Sequence, residues 1–482
     1  MTMRADQLLR RCDCVVYDYL VNPMLLKRVA ATAERVFVGK RGHSDSITQD
    51  EINATLIRLA GKHRCIVRLK GGDPFLFGRG GEEADALAEA GIPFSVVPGV
   101  TSGIAVPAYA GIPITHRAAS SAVVFATGHQ QPGKDNEPHW QALAKIETIV
   151  LYMGMQKLGN LCAALIRHGR SADTPVCVIQ WGTYAKQRCA EGTLATIADI
   201  AQREGLGAPA ITVVGDVVRY RERIRWFDNR PLSGRTVVVT RSRDQASELA
   251  ERLDDAGARV IEYALLRQAP PERWDEVDAA FDTITDGSWI AFTSANAVRL
   301  CLERLRARGR DVRAFARCRI AAIGAATARA LGDWGLMPDL VPGSYNATEL
   351  AQELLRLTPK GLRVLLPHAD NAQSTLRDTL TNAGASVTAV IAYRNLPEVP
   401  TIDLTSETVD AVTFASSNTA ERFVATIGDT GLTALRARGC RWFAIGPETA
   451  ATMQRLGIAP HAVAERADVA ALAETVITAL SV

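Results

Sequence analysis

The sequence predicts an α/β protein with largely parallel sheets and more than one domain. Short apolar runs alternate with amphipathic stretches, beginning with Cys14–Tyr17, Val36–Val38 and Ile66–Leu69, and this alternation is typical of layered α/β folds. The chain has 482 residues, too many for one small module at about 150 residues per domain. A set of motifs also occurs twice in the carboxy-terminal half, which indicates two similar α/β lobes there.

Composition excludes several classes of protein. Hydrophobic residues make up 47% and charged residues 22% of the chain, as in ordinary globular domains. The net charge of +3 is too balanced for a dedicated nucleic-acid binder. No apolar run reaches the roughly 18 residues of a membrane helix, and the amino terminus lacks a secretory signal. We therefore expect a cytoplasmic protein with neither a membrane nor a nucleic-acid partner.

The nine cysteines are scattered along the chain and form no C-x-x-C pair. Zinc sites and disulfide frameworks usually show such local spacing. The sequence therefore predicts neither of them, and we expect no metal.

Charged residues follow the first two predicted strands. Asp18 comes after Val15–Tyr17, and Lys40 comes after Val36–Gly39. A carboxylate and an ammonium group at strand ends are placed for proton transfer. A surface ion pair is the commoner explanation for such residues, and the pattern alone does not decide between the two.

The third predicted strand ends in a glycine-rich turn that precedes a helix. Gly71 and Gly72 would let the backbone approach a ligand, and Asp73 can accept hydrogen bonds from hydroxyl or ammonium groups. The helix that follows would present its amino end to the same place. Any tight strand-to-helix turn could look the same.

A domain boundary is predicted where the α/β pattern stops between Arg219 and Gly234 and a fresh strand begins at Thr236. We place the first domain at residues 1–228, a linker at 229–234 and the second domain at 235–482.

Beyond the boundary, Phe292–Asn296 and Ala322–Gly324 recur as Phe414–Asn418 and Ala444–Gly446, at a constant offset of 122 residues. Two such lobes imply a ligand cleft at the carboxyl ends of their strands. Hydroxyl side chains at the strand-to-helix junctions could bind substrate carboxylates with the helix amino ends, or could merely cap the helices. These residues are Thr293, Ser294, Ser416, Ser417 and Thr449.

Taken together, residues 2–226 resemble the uroporphyrinogen-III C-methyltransferases of the tetrapyrrole methylase superfamily. The motifs that carry the resemblance are Val16–Val21, Val36–Gly42, Gly71–Glu83, Val97–Ser102, Gly111–Arg117 and Leu151–Gly154. The resemblance implies a two-lobed methylase fold that uses S-adenosylmethionine, and a homodimer formed through this domain. It implies that Asp18 is the general base and Lys40 the general acid. The implied cofactor pocket consists of Gly71, Gly72, Asp73, Leu76, Thr101, Ser102, Met153 and Gly182.

The resemblance fails at the amino terminus. Members of this family open with a strand and a Gly-x-Gly-Pro-Gly-Asp loop before the segment that matches Leu8–Tyr17, and the sequence has no such residues. We therefore expect a methylase domain without its first strand and loop, with an exposed sheet edge. Weak or absent binding of S-adenosylmethionine is predicted for this chain.

From Leu232 onward the chain resembles uroporphyrinogen-III synthase. The motifs are Val239–Arg241, Phe292–Asn296, Ala322–Gly324, Ala347–Leu350, Ala392–Arg394, Phe414–Asn418 and Ala444–Thr449. The resemblance implies a two-lobed α/β fold, with one lobe built from both ends of this region and the second near residues 268–392. It implies that Tyr393 is a general acid that helps the substrate hydroxyl to leave, and it adds Arg241 to the substrate-binding residues. Without the family, a lone tyrosine of this kind is usually a packed core residue.

The two resemblances together predict a bifunctional enzyme. The second half would cyclise hydroxymethylbilane to uroporphyrinogen III, and the first would methylate that product to precorrin-2, feeding siroheme or cobalamin. The main alternative is a monofunctional synthase whose inactive methylase lobe serves as a scaffold. A two-lobed ligand sensor is a further alternative, which the lack of a signal segment or a DNA-binding helix pair disfavours. A methylase acting on ribosomal RNA or on a diphthamide precursor is another, which the fused synthase disfavours.

Overall fold

The computed structural model describes residues 1–30, 32–39, 47–128, 140–240, 247–343, 346–398, 400 and 402–481. The chain forms two compact units. The first comprises Met1–Arg235, Asp254–Arg259 and Leu480–Val482, and the second comprises Thr236–Leu253 and Val260–Ala479. Each unit is built on two sheets flanked by helices, so the α/β class expected from the sequence is confirmed.

The first sheet of the first unit has three parallel strands in the order β2-β1-β3. The strands are β1 (Cys14–Tyr17), β2 (Glu34–Phe37) and β3 (Ile66–Leu69). Their helices are α1 (Met3–Arg11), α2 (Pro23–Leu26), α3 (Gln49–Ala60) and α4 (Gly80–Glu89). Thr48 begins α3 with a reciprocal capping box, in which Glu51 accepts the Thr48 N–H and Thr48 accepts the Glu51 N–H.

One edge of this sheet is open among the described residues. β3 pairs with β1 on one side and with no described strand on the other. Residues 92–100 run without regular secondary structure, and Phe94 and Val96 there are 48% and 39% exposed. Backbone groups at such an edge can receive a further strand.

The second sheet of the first unit is mixed, in the order β4-β5-β8-β6-β7. Its strands are β4 (Val123–Thr127), β5 (Thr148–Tyr152), β6 (Pro175–Gln180), β7 (Arg188–Thr193) and β8 (Ala210–Val214). Only β4 and β5 are parallel, which departs from the expected parallel pattern. β6 and β7 form a hairpin because seven residues join them, and a parallel crossover needs a dozen or more. The helices are α5 (Ser102–Tyr109), α6 (Trp140–Leu143), α7 (Leu158–Arg167), α8 (Ile197–Arg203) and α9 (Arg221–Ile224).

The second unit takes one sheet from both of its ends and one from its middle. The first has the order β10-β9-β16-β17-β18 and consists of β9 (Thr236–Val239), β10 (Arg259–Glu262), β16 (Ala411–Phe414), β17 (Arg441–Ala444) and β18 (Ala462–Val463). The second has the order β11-β15-β14-β12-β13 and consists of β11 (Leu266–Ala269), β12 (Ser288–Phe292), β13 (Cys318–Ala322), β14 (Arg363–Ala369) and β15 (Ser386–Pro397). In the second sheet β11 alone runs antiparallel to its neighbour.

The helices of the second unit follow the repeat. They are α10 (Ser247–Asp255), α11 (Asp275–Asp282), α12 (Ala295–Ala307), α13 (Ala325–Gly332), α14 (Ala347–Leu357), α15 (Thr375–Asn382), α16 (Ser417–Ala437), α17 (Pro447–Arg455) and α18 (Val469–Leu480). Short 3₁₀ turns span Met155–Lys157, Asp216–Tyr220 and Val312–Phe315. Each repeated motif lies where a strand meets its helix, at β12–α12 and β13–α13 and again at β16–α16 and β17–α17. Within the described part of the chain, no helix has the length and apolar character needed to cross a bilayer.

Candidate active sites

The glycine-rich turn after β3 is held by close backbone contacts. A Cβ on Gly71 would lie 2.6 Å from the carbonyl oxygen of Leu20, and Gly72 has a φ of +146°, which favours glycine. The two oxygens of Asp73 accept the N–H groups of Phe75 and Gly99 at 2.9 and 3.0 Å. Asp73 therefore fixes the turn and the following loop, and each of its oxygens keeps one lone pair for a ligand.

A second loop meets this turn at the amino end of α5. Thr101 Oγ1 lies 2.6 Å from Tyr152 Oη, and Tyr152 Oη also accepts the Gly103 N–H at 2.7 Å. A Cβ on Gly72 would lie 3.6 Å from the backbone nitrogen of Ser102. Tyr152, at the end of β5, therefore anchors the loop. Its motif, Leu151–Gly154, is recognisable in the sequence, but its anchoring role is not.

The end of β5 and the residues after β6 carry unusual backbone geometry. Met153, Trp181 and Thr183 have φ values of +52°, +49° and +73°, a left-handed region that costs energy for residues other than glycine. A Cβ on Gly182 would lie 2.3 Å from Val106 Cγ1. Such strain clusters at ligand sites.

The structure brings the predicted cofactor residues together around α5 and Tyr152. Leu76 packs against the core that contains Val106 and Tyr152. Several apolar side chains near these loops are exposed, although one of them, Phe77, also contacts the Tyr152 ring: Phe75, Phe77, Val100, Ile104 and Met153. A group of exposed apolar residues beside a glycine-lined backbone indicates a ligand-binding surface.

Asp18 belongs to a network of partly buried charges. Its Oδ2 lies 3.0 Å from Arg68 Nη2, and its Oδ1 accepts the Leu20 N–H at 3.0 Å. Arg68 Nε and Lys70 Nζ both contact Glu83 Oε1, at 3.2 and 2.8 Å. Burial lowers the pKa of Lys70, as does the Arg68 guanidinium, whereas the hydrogen bond to Glu83 raises it.

Two carboxylates therefore face two cations at the carboxyl ends of β1 and β3. The pairing of Asp18 with Arg68 is not predictable from the sequence, because the two residues are 50 positions apart. Lys40, the predicted general acid, lies outside the described residues.

Tyr393 is the central residue of the site in the second unit. Its hydroxyl lies 3.0 Å from Ser294 Oγ, and only 7% of the residue is exposed. Tyr393 lies within β15, not after a strand as expected. At this point β15 changes from parallel pairing with β14 to antiparallel pairing with β11. Burial raises the pKa of Tyr393, and hydrogen bonds with Ser294 and Asn296 partly oppose this rise.

The predicted hydroxyl residues take different positions. Ser294 and Ser416 cap α12 and α16, accepting the N–H groups of Ala297 and Thr419 at 3.1 and 3.3 Å. Ser294 is the one that meets Tyr393. The other predicted residues that the structure describes make no hydrogen bond with Tyr393. Thr293 is partly buried before α12, Ser417 Oγ donates to the Glu448 carbonyl at 3.5 Å, and Thr449 is 4% exposed in α17. Arg241 lies outside the described residues.

The fold and these two sites define a two-unit α/β enzyme, with a glycine-lined loop cradle in the first unit and a buried tyrosine hydroxyl in the second. The family model described as tetrapyrrole (corrin/porphyrin) methylases matches residues 1–198. The model described as uroporphyrinogen-III synthase HemD matches residues 247–474. Both resemblances drawn from the sequence motifs are confirmed.

The chain is 33% identical over 476 residues to a porphyrin biosynthesis protein HemD from Ruminiclostridium josui, an alignment that covers 97% of this chain and 93% of that protein. The chain belongs to this family, and it carries a tetrapyrrole methylase unit ahead of a uroporphyrinogen-III synthase unit.

Two further relatives match the first half. A siroheme synthase from Pseudomonas putida is 46% identical over 228 residues, an alignment that covers 47% of this chain and 49% of that protein. The chain therefore spans about half the length of that relative. A solved uroporphyrin-III C-methyltransferase from Thermus thermophilus, in complex with S-adenosylhomocysteine, is 35% identical, with a TM-score of 0.39 and coverage of 45% of this chain and 92% of that one.

Proposed function

We propose that this chain catalyses two consecutive steps of tetrapyrrole biosynthesis. The second unit would cyclise hydroxymethylbilane to uroporphyrinogen III, with inversion of the last ring, and the first would methylate uroporphyrinogen III twice to precorrin-2. The observation that carries the proposal is the presence on one chain of both family matches, because the product of one activity is the substrate of the other. We also propose that the first domain spans residues 1–228, the linker 229–234 and the second domain 235–482.

In the synthase unit, Tyr393 would protonate the hydroxyl that leaves hydroxymethylbilane. Its raised pKa keeps the phenol protonated at neutral pH, the form that a general acid needs. Ser294 Oγ already accepts the Ala297 N–H, and its own proton can be donated to Tyr393 Oη. The Tyr393 proton is then available to the substrate.

Helix amino ends in this unit suit the carboxylate groups of the substrate. α13 and α17 begin after Gly324 and Gly446, and neither receives a side-chain cap. The free N–H groups of their first turns can therefore bind anions, and in α17 these begin at Glu448 because Pro447 has none. Thr293, Ser416, Ser417, Thr449 and Arg241 remain the proposed substrate contacts.

In the methylase unit, the described loops fit S-adenosylmethionine. The fit rests on the tight backbone of Gly71–Asp73, the uncapped amino end of α5 and the exposed apolar surface at Met153. When bound, the cofactor supplies an activated methyl group. The backbone around Gly72 and Ser102 would hold it, and Thr101, fixed by Tyr152, would set the shape of the loop.

Asp18 would take the proton that the methylated pyrrole loses. Two of its acceptor positions are used by Leu20 and Arg68, and a carboxylate has about four. A position therefore remains for the substrate proton.

A second candidate is a synthase with an inactive methylase lobe used as a scaffold. The open edge of β3 among the described residues favours it, because no described strand supports the loop after β3 from that side. Calorimetric titration of the 482-residue chain with S-adenosylmethionine separates the two proposals. Micromolar affinity would support the methylase and exclude the scaffold proposal, whereas the weak or absent binding expected from the sequence would support the scaffold.

Product analysis tests the two activities in sequence. With hydroxymethylbilane, the chain should form the III isomer of uroporphyrinogen. The I isomer forms without enzyme, so its exclusive formation would refute the synthase assignment. Subsequent addition of S-adenosylmethionine should yield a doubly methylated product if the methylase is active.

A further inference from the structure

Three different metal-ligating side chains meet at the amino ends of the first sheet, away from the candidate active site. Cys14 begins β1 and Glu34 begins β2, and the strand register places them side by side. His63 lies in the turn between α3 and β3. The Cys14 sulfur, a Glu34 oxygen and a His63 ring nitrogen all lie within 4.8 Å of one another.

The histidine is held between two carboxylates. Its Nε2 is 2.8 Å from Glu34 Oε2, and its Nδ1 is 3.9 Å from Asp13 Oδ1. Asp13 is itself fixed, since its carboxylate accepts the N–H groups of Arg64 and Cys65 at 2.9 and 3.0 Å. A histidine that binds a metal through one ring nitrogen usually faces a carboxylate or carbonyl with the other. Asp13 is placed for that role.

We propose that Cys14, Glu34 and His63 form a Zn²⁺ site, with a water molecule as the fourth ligand. The sulfur, nitrogen and oxygen donors together are typical of zinc, whereas Mg²⁺ and Ca²⁺ prefer oxygen alone. Bonds of about 2.0–2.3 Å place tetrahedral ligand atoms roughly 3.5 Å apart. Glu34 can close the remaining gap, because 53% of its side chain is exposed. The Cys14 thiol releases its proton to solvent when the metal binds.

The position of the site indicates that its role is structural. Cys14 and Asp18 are separated by the length of β1, about 13 Å at the usual rise per residue, so the ion would not reach the methyl-transfer chemistry. It would instead join β1, β2 and the turn before β3. Because metal binding adds to folding free energy, the ion would stabilise this small, open-edged sheet.

Cobalt substitution tests the proposal on the full chain. Co²⁺ should bind at one ion per chain and give the sulfur-to-cobalt charge-transfer band that only a thiolate ligand produces. Cys14→Ala should abolish this band. Cys162→Ala is the matched control, because Cys162 is another buried cysteine of the same unit, in α7, and it should keep the band.

Zinc affinity gives a second measurement that does not depend on a core substitution. Glu34→Gln and His63→Gln should each weaken Zn²⁺ binding at least about tenfold, with an unchanged circular dichroism spectrum. Excess Zn²⁺ should raise the Tm of the wild-type chain but not of His63→Gln. The proposal is wrong if the wild-type chain gives no thiolate band, if the band survives Cys14→Ala, or if Glu34→Gln leaves the affinity unchanged. The last result would leave only an ordinary His63–Glu34 ion pair.

Discussion

At the scale of single residues, the Tyr393 hydroxyl combines burial with a defined partner. Ser294 holds it at 3.0 Å while also capping α12. A buried phenol that stays protonated is in the form that a general acid needs. Buried tyrosines are commonly structural, but this arrangement supports the hypothesis that Tyr393 is catalytic.

Tyr393→Phe removes only the hydroxyl, so we expect a folded protein whose synthase turnover falls by roughly a hundredfold or more. Tyr263→Phe is the control, because Tyr263 is also buried, in the other lobe, and burial raises its pKa as well. Its rate should equal that of the wild type. An unchanged rate for Tyr393→Phe would remove the residue from the mechanism.

Synthase turnover should also fall at alkaline pH. The pKa of Tyr393 is raised above its ordinary value of 10.0 by burial, so the acid form persists through neutral pH and is lost only as pH rises through the raised value. The rate should therefore fall on an alkaline limb above about pH 10. A fall that began near pH 7 in the wild-type profile would point to a different acid.

Asp18 and Asp73 should respond differently to substitution. In the full chain, Asp18→Asn keeps an acceptor for the Leu20 N–H but loses the base. Methyl transfer should therefore fall about a hundredfold, with cofactor affinity within a few-fold. Asp73→Ala releases the N–H groups of Phe75 and Gly99 and should weaken S-adenosylmethionine binding first. Calorimetry and turnover separate the two effects. The same loss of binding in both variants would contradict the division of roles.

At the scale of elements, the amino end of α5 depends on how closely it approaches β5. A Cβ on Gly103 would lie 2.2 Å from Tyr152 Oη, so the strand and the helix cannot keep their positions with a larger residue there. This contact also sets the Thr101 loop. The fit between two elements therefore controls the geometry of the candidate cofactor cradle.

Gly103→Ala should destabilise the first unit by about 1–3 kcal/mol through overpacking. Gly81→Ala is the matched control, since Gly81 lies in α4 and a Cβ there meets nothing within 4 Å. The control should be neutral or slightly stabilising, because alanine favours helix. Denaturant unfolding measures both. Equal stability of the two variants would show that the Tyr152 contact relaxes easily.

At the scale of the whole molecule, each unit has its own hydrophobic cores. In the second unit, one core contains Phe292 and Tyr393 and another contains Phe414 and Trp442. Each core belongs to one of the two sheets. A chain segment with its own cores can fold without the rest of the protein.

A fragment beginning at Leu232 should therefore unfold cooperatively and convert hydroxymethylbilane to the III isomer at a rate near that of the full chain. Thermal unfolding and product analysis measure these two properties. A fragment that is folded but inactive would show that the first unit is needed for the synthase. A fragment that does not fold would show that residues 1–231 contribute to its core.

The family, the α/β class and the strand-to-helix junctions could be predicted from the sequence. These features depend on local signals: apolar periodicity, turn residues and the repeated motifs. Each signal lies within the segment that forms the helix or strand, so no distant contact is needed to recognise it. The two capping serines were predictable for the same reason, since Ser294 and Ser416 stand beside the helices they cap. The catalytic, cofactor and substrate roles and the domain limits remain predictions.

Partners across the sheets could not be predicted, because strand order decides them. The order β2-β1-β3 brings Arg68 to Asp18 and Glu34 to Cys14, although 50 and 20 positions separate these pairs in the chain. His63 adds a third ligand from a turn with no recognisable spacing motif. The sequence by itself determined which elements form and which family they belong to. Only the tertiary structure decided which side chains meet, because those contacts depend on packing between segments that carry no local signal of one another.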